Sequence, residues 1–305
     1  MKQATPDISV IIPHLNQPDH LRRCLTSLQQ QTHGTQGLEI IVVDNESNSL
    51  PAEICAAFNG VRLEEEATPG PGPARNRGVS LSRGRLLAFI DADCIADPQW
   101  LAAIAAELAR DDGPEVIGGD VRIVLGDTNK MTQLEAYECI FAYRQKEYIE
   151  RQNFSGTGNL AMRREVYDTV GPFAGIDVAE DRDWGHRATE LGHKISFVAD
   201  MIVFHPARRS FDELYAKWDR HVAHDFEEYG RGVLGRLLWA GLAVAVLGSP
   251  LFELLRIVGS DRVGTWRERG LAAVAVIKIR AYRARRMLGV LAGSEHLQPK
   301  SQWNR

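Results

Sequence analysis

The chain has 305 residues, 44 % of them hydrophobic and 25 % charged, a globular composition that excludes a mainly disordered chain. Thirty-six Lys and Arg against forty Asp and Glu give a net charge of −4, which argues against nucleic acid as the principal partner. Residues 254–305 hold eleven Lys or Arg and three Asp or Glu, +8, which leaves −12 for the rest: an acidic body with a basic tail.

Taken in order, Ile8 to Ile12 is a β-branched run that stops at Pro13 and predicts a buried strand. A helix follows, with Asp19 as its expected cap and Leu21, Leu25 and Leu28 as its apolar stripe. Leu38 to Val43 predicts a second strand ending at Asp44-Asn45, residues 51–58 a helix, and residues 61–63 a third strand. The stretch PGPGPARNRG (69–78) reads as a loop entering a helix, and residues 86–90 as a strand ending in Asp91-Ala92-Asp93. Residues 100–110 suit a helix. This alternation predicts an α/β fold, with a mainly parallel central sheet flanked by helices.

The second half is less regular. Strand character covers 116–124, and an aromatic-rich helix is expected over 131–149. Glycines 156 and 158 precede an apolar run to Met162, and residues 163–169 read as a helix before a turn at 171–173. Glu180-Asp181-Arg182-Asp183 opens a helix reaching about Leu191, and 195–198 and 201–204 read as two short strands, the second ending at His205-Pro206. The expected organisation is a catalytic domain over 1–230 and a helical, apolar and basic extension over 231–305.

Cys24, Cys55, Cys94 and Cys139 lack metal-ligand or redox spacing and read as free thiols of a reducing compartment. MKQATPDISV has no apolar signal stretch, so a cytoplasmic location is expected. Residues 237–252 are uncharged and mostly apolar, yet shorter than the roughly 20 residues a spanning helix needs. Three placements are open for the tail: soluble helices that complete a core, a peripheral hairpin on the cytoplasmic face of an anionic membrane through 237–286, or a true span.

Ligands of open α/β sheets lie beyond the carboxyl ends of the strands, where Asp44, Asp91 and Asp93 fall. On an extended segment residues i and i+2 point the same way, so Asp91 and Asp93 would share one side. Two such carboxylates suit a hard divalent cation with phosphate oxygens. Arg75 and Arg77 beside a glycine-rich turn suit an anionic ligand. No GxGxxG follows the first strand and no GxxxxGK[ST] occurs, so dinucleotide and P-loop readings lack support.

The ordered set VIIPHLN (10–16), IIVVDNES (40–47), PGPARNRG (71–78), FIDAD (89–93), GTGNLAMRREVYDTVGPF (156–173) and AEDRDWGHR (179–187) resembles the inverting family 2 glycosyltransferases, which have the GT-A fold. The resemblance covers about residues 8–205. It implies transfer of a sugar from a nucleoside-diphosphate sugar, uridine-linked by expectation, to a hydroxyl of a glycan, glycolipid or lipid-linked acceptor of the cell envelope. It implies a divalent cation, Mn²⁺ or Mg²⁺. Position by position, Pro13 and Asn16 would line the base and ribose pocket and Asp44 would accept from the nucleobase. Arg75 would hold the nucleotide or pyrophosphate. Asp91 would bind ribose or metal-bound water, Asp93 the ion directly, and His205 would be a further metal ligand. Asp181 would be the catalytic base, Glu180 an orienting carboxylate and Asp183 the rival base.

Departures are His14-Leu15 in the opening motif, Trp184-Gly185 after Asp183, and Lys217-Trp218-Asp219-Arg220-His221 where processive members carry QxxRW. Addition of one sugar or a few is therefore expected. Two alternatives stay open at this point: a nucleotidyltransferase or sugar-nucleotide pyrophosphorylase, and a catalytically inactive sugar-nucleotide-binding protein.

Overall fold

The computed structural model describes residues 6–33, 37–127, 130–229 and 232–293. The end of the basic tail, 294–305, lies outside them. The chain packs as two compact units, residues 1–122 with 144–206, and residues 123–143 with 207–305. The division falls at 206/207, not at 230, because helix 211–229 packs with the helices that follow it.

The elements in chain order are β1 (Ile8–His14), α1 (Pro18–Gln29), β2 (Leu38–Asp44), α2 (Ala52–Ala56), β3 (Val61–Glu65), α3 (Pro71–Leu81), β4 (Leu86–Ile90), β5 (Ile95–Ala96), α4 (Trp100–Leu108) and β6 (Val116–Val124). Then follow α5 (Gln133–Phe141), α6 (Gln145–Gln152), β7 (Asn159–Arg163), α7 (Arg164–Val170), α8 (Glu180–Glu190), β8 (Ile195–Pro206), α9 (Phe211–Tyr229), α10 (Gly232–Gly248), α11 (Pro250–Val258) and α12 (Trp266–Leu291).

One sheet organises the first unit, in the order β3-β2-β1-β4-β7-β6-β8-β5. The half from β3 to β4 is parallel, as the strand–helix alternation predicts. The other half is not: β7 runs antiparallel to both β4 and β6, and β5 antiparallel to β8. The sheet is therefore mixed. Pro13 is tolerated in an interior strand because β1 pairs with β4 only as far as Ile11, so the missing N–H falls beyond that ladder. The core joins Ile11, Phe89, Leu160, Met162, Phe173 and Trp184.

Several local expectations change. Helix α1 starts at Pro18, after Gln17, with Asp19 inside its first turn and no side-chain cap. Proline is pre-set for a first helical position, which moves the start two residues earlier than a cap at Asp19 would place it. PGPARNRG lies inside α3, again because Pro71 occupies the first turn. The expected helix over 131–149 is two, α5 and α6, which belong to different units. The two late strands are one, β8, half-buried along most of its length.

In the second unit, α5 and α12 each open with a capping box, Thr132 with Glu135 and Thr265 with Glu268. Leu134, Ile140, Leu214, Ile257, Val276 and Ile279 form one apolar cluster, and Val222, Trp239, Ala243, Met287 and Val290 a second. Helix α10 buries Trp239 and Ala243, while Leu234, Leu237, Leu238, Val244 and Leu247 stay exposed. On α11, Leu251, Phe252 and Leu255 are exposed by 73 %, 78 % and 77 %. No single described helix is long and apolar enough to cross a membrane; α10 and α11, bent by 41° at their junction, pass that test only as a pair.

Candidate active site

The carboxyl ends of β1, β2 and β4 and the start of α8 supply the site. At the β1–β2 end, the buried His14 and Asp44 side chains meet at 2.8 Å. The Gln17 N–H points at His14 Nε2, 3.2 Å away, so that nitrogen is the acceptor and Nδ1–H donates to Asp44 Oδ1. The second Asp44 oxygen accepts the Ser47 N–H at 2.9 Å. Asn16 sits at φ 53°, a left-handed conformation that asparagine tolerates. Its N–H donates to Ser47 Oγ and its Oδ1 accepts the Asn48 N–H, both at 2.8 Å. The loops after β1 and β2 are thus sewn together around Asp44. Asn45 extends the seam to the next connection, donating to the Glu66 and Thr68 carbonyls and accepting the Gly70 N–H.

Arg75, on the first turns of α3 and 2 % exposed, bridges two distant acids. One nitrogen donates to Asp91 Oδ1 at 2.7 Å and another to Glu180 Oε1 at 3.0 Å. Burial acts against its charge, but the two carboxylates outweigh that and hold its pKa above the usual value. Its Nε is buried with no hydrogen-bond partner among the described residues. Neighbouring Asn76 fixes α3 to the 171–173 turn: its Nδ2 donates to the Phe173 carbonyl, and its Oδ1 accepts the Phe173 N–H and the Tyr167 hydroxyl. Gly72 permits the same approach, since a Cβ there would collide with the Ala174 carbonyl oxygen.

Asp91-Ala92-Asp93 is a turn, not an extended segment; the Cys94 N–H closes it on the Asp91 carbonyl so that the chain can enter β5. The two carboxylates consequently part company. Asp91 leans to Arg75, and Asp93 Oδ2 lies 3.2 Å from His205 Nε2 at the end of β8. Burial dominates Asp91 and raises its pKa, with the Asp93 charge adding to it against Arg75. Burial pushes Asp93 the same way, but His205 overrides it and the net shift is downward. The His205 pKa is raised, because Asp93 outweighs a desolvation that works to lower it. Gly158, before β7, lies against this turn: a Cβ would stand 2.5 Å from Asp91 Oδ2.

A divalent cation fits this corner. His205 Nδ1 is 2.7 Å from the Pro206 carbonyl oxygen, an obligate acceptor, so Nδ1 carries the hydrogen. In the neutral ring Nε2 then turns a lone pair toward the Asp93 carboxylate, an arrangement that requires a proton or a metal ion between them. Among the described residues no three His, Cys, Asp or Glu side chains converge on one metal position. Asp93 and His205 would supply two ligands to a Mg²⁺ or Mn²⁺ ion, and phosphate oxygens and water would have to complete its shell.

The acidic start of α8 is where the carboxylates separate by role. Asp183 is bound by Arg187, one turn on, at 2.9 Å, and Arg187 is itself tied to the Val170 and Pro172 carbonyls. Glu180 is held by Arg75. Asp181 accepts the Arg182 N–H at 2.7 Å, and among the described residues no basic side chain lies within ion-pair reach of it. Burial, then the adjacent Glu180 charge, push its pKa up to about 6. The aromatic-rich segment divides: Tyr137 stacks on Phe141 in the second unit, and Tyr148 stacks on Phe154 in the first.

The model of the family described as Glycosyl transferase family 2 matches residues 9–171. The glycosyltransferase AglE of Haloferax volcanii is 34 % identical over 223 residues, covering 71 % of this chain and 72 % of the relative. The chain belongs to glycosyl transferase family 2. The glycosyltransferase GlyG of Streptococcus pneumoniae serotype 4 is 27 % identical, covering 82 % of this chain and 86 % of that one. The fold of a mannosyltransferase from Pyrobaculum calidifontis, solved with GDP-Man and Mn²⁺, matches with a TM-score of 0.57 at 17 % identity, over 96 % of this chain and 89 % of that one. Glucosyl-3-phosphoglycerate synthase of Mycobacterium tuberculosis, solved with Mg²⁺ and UDP, matches with a TM-score of 0.51 at 24 % identity, over 74 % and 80 %. The fold is GT-A and the protein is a glycosyltransferase using a nucleotide-sugar donor; family membership disfavours the nucleotidyltransferase alternative.

The sequence points to Pro13, Asn16, Asp44, Arg75, Asp91, Asp93, Glu180, Asp181, Asp183 and His205 as site residues. His14 stands there only as a departure from the opening motif, and its tie to Asp44 is not legible. Gly158 and Arg187 are not pointed to either; their contacts depend on residues far off in the chain or one helical turn away. The i,i+4 spacing of Asp183 and Arg187 was a readable signal for their pairing.

Proposed function

We propose that this protein transfers a single sugar, with inversion, from a uridine-diphosphate sugar to a hydroxyl of a glycan or lipid-linked acceptor, with Asp181 as the catalytic base. The observation that carries this reading is the division of labour at α8: Arg187 engages Asp183, Arg75 engages Glu180, and Asp181, with no ion-pair partner among the described residues, keeps an elevated pKa. A carboxylate with a pKa near the working pH is suited to proton abstraction.

In this reading Pro13 and Asn16 shape the base and ribose pocket. Asp44, oriented by His14 and Ser47, offers its remaining lone pairs to the nucleobase. Arg75 braces Asp91 and Glu180 and brings its positive charge to the nucleotide side of the site. The acceptor oxygen attacks the anomeric carbon, its proton passes to Asp181, and the bond from that carbon to the diphosphate oxygen breaks. Asp93 and His205, with Asp91 nearby, would hold Mn²⁺ or Mg²⁺, which when bound neutralises charge on the leaving diphosphate. The exposed apolar faces of α10 and α11 support a peripheral position on an anionic membrane surface, where a lipid-linked acceptor resides.

The test is a sugar-nucleotide panel with Mn²⁺ or Mg²⁺, scored for transfer and for donor binding by calorimetry, in wild type, Asp181→Asn and Asp93→Asn. D181N should lose roughly 10²–10⁴-fold in transfer while binding donor normally. D93N should weaken donor binding in the presence of the ion. Transfer by D181N within threefold of wild type removes Asp181 as the base.

A further inference from the structure

The start of α8 carries one charge that no neighbour answers. Of its three acids, Glu180 is held by Arg75 and Asp183 by Arg187. Arg182, between Asp181 and Asp183, is exposed. Its backbone N–H donates to Asp181 Oδ1, while its guanidinium has neither an ion-pair nor a hydrogen-bond partner among the described residues. A solvent-accessible cation thus stands next to the Asp181 carboxylate without being spent on it.

The helix face that continues from Arg182 is built up by aromatic side chains. Residues i and i+4 of a helix share a face, so Arg182 leads to His186 and Asp181 to Gly185. Helical side chains lean toward the N-terminus of their helix, which brings the His186 ring back over the Arg182 turn. Gly185 lets the chain after α6 lie against α8: a Cβ there would stand 2.6 Å from Phe154 Cβ and 2.9 Å from the Asn153 carbonyl oxygen. Phe154 meets His186 edge to face, with centroids 6.5 Å apart at 87°, and stacks on Tyr148 at 5.1 Å and 13°. His186, Phe154 and Tyr148 are each half-buried, so the wall they form reaches solvent. It begins one helical turn, about 5.4 Å, from Asp181 and Arg182, a spacing that suits one sugar ring. His186 Nε2 lies 3.0 Å from the Gln152 carbonyl oxygen, which can only accept, so Nε2 carries the hydrogen. In the neutral ring Nδ1 then keeps its lone pair, and no described residue donates to it.

A ligand bound here lies beside the Asp181 and Glu180 carboxylates, which repel an anion. An arginine with no acid of its own offsets that repulsion and suits planar anionic oxygens. We propose that Arg182 and His186, backed by Phe154 and Tyr148, form the acceptor subsite, and that its ligand is a sugar bearing a phosphate or a carboxylate. Arg182 takes the anionic group, His186 Nδ1 accepts from a ring hydroxyl, and the aromatic wall borders the ring. The inference rests on Asp181 as the catalytic base and names the acceptor class which that base would serve.

The experiment uses the full chain, saturated with Mn²⁺ and with UDP or GDP, whichever it binds, and titrated with sugars by calorimetry. The probes are glucose, galactose and mannose, each as the neutral sugar, the uronate and the 6-phosphate, with inorganic phosphate as the ring-free control. Wild type should bind at least one anionic sugar tenfold or more tightly than its neutral parent, and more tightly than inorganic phosphate. Preference for the 6-phosphate assigns the group to a phosphate, and preference for the uronate to a carboxylate. Arg182→Gln should abolish the preference, and Arg182→Lys should keep part of it. His186→Gln, which can still donate to the Gln152 carbonyl, should weaken neutral and anionic sugars alike by severalfold and leave their ratio unchanged. For any probe that also accepts sugar, R182Q should raise its KM at least tenfold with kcat within threefold. The proposal is overturned if neutral and anionic sugars bind wild type equally, if inorganic phosphate binds as tightly as the sugar phosphates, or if R182Q keeps the preference. It is also overturned if R182Q weakens the nucleotide itself, which places Arg182 on the donor side. Failure of the Asp181 reading shows separately, as transfer by D181N within threefold of wild type, and leaves these binding ratios standing.

Discussion

Asp181 and Asp183 are two residues apart with the same side chain, and a single ion pair distinguishes them. Arg187 reaches Asp183 and not Asp181 because i and i+4 share a helix face. Asp181 then keeps a pKa of about 6, above the ordinary carboxylate value, through burial first and the Glu180 charge second. The base must be ionised to accept a proton. With its pKa raised, activity should be present above about pH 6 and should fall as pH drops through that value. A profile of kcat/KM between pH 4.5 and 8 should show this acid limb. In Glu180→Gln the like charge is gone and Arg75 loses a partner, and both changes should move the limb to lower pH. A limb that stays in place in E180Q would mean that the titrating group is not Asp181.

At the scale of elements, the site depends on close approach between segments distant in sequence. Gly158 is the clearest case, because a methyl group there would stand 2.5 Å from the Asp91 carboxylate. The carboxylate is the movable end of a side chain, so Gly158→Ala should fold with a melting temperature within a few degrees of wild type. Asp91 would have to swing away from Arg75, its partner at 2.7 Å. A displacement of this size at a positioned group costs on the order of 10²-fold in kcat/KM. Steady-state kinetics with the donor varied should show the loss; full activity in G158A would show that Asp91 tolerates displacement. Gly72 is the contrasting case, since the obstacle is the Ala174 backbone carbonyl and cannot rotate aside. Alanine at 72 should act on stability instead, by about 1–3 kcal/mol.

For the molecule as a whole, the arrangement of its C-terminal unit sharpens the question of membrane contact. The tail arginines are not a uniform basic flank, because Arg280 and Arg286 are committed to internal acids. The exposed leucines of α10 and α11, with Phe252, carry most of the case. The full chain should co-sediment with phosphatidylglycerol vesicles and retain part of that binding in high salt. Leu251→Ser, Phe252→Ser and Leu255→Ser together should abolish it without lowering the melting temperature, since those side chains are already exposed. Equal partitioning of the triple variant would exclude α11 as the contact.

Much of this protein was legible in its sequence because the relevant signals are local. Strand ends at Asp44 and Asp91, the apolar periods of α1 and α4, and the ordered motifs from Val10 to Arg187 each lie within a few residues. The parallel half of the sheet follows from strand–helix alternation by the same logic. The antiparallel placement of β7 between β4 and β6 does not, since pairing depends on which edges meet after collapse. Proline set the start of α1 ahead of the cap expected at Asp19 and drew PGPARNRG into α3, a local rule in both places. Tertiary structure alone decided that Arg75 joins acids 16 and 105 residues away, that His14 clamps Asp44, and that the Asp91 and Asp93 carboxylates face different partners. The sequence by itself determined which chemical groups are present and in what order. The ion pairs of the folded chain, local at Asp183–Arg187 and long-range at Arg75, determined which of them are spent on one another.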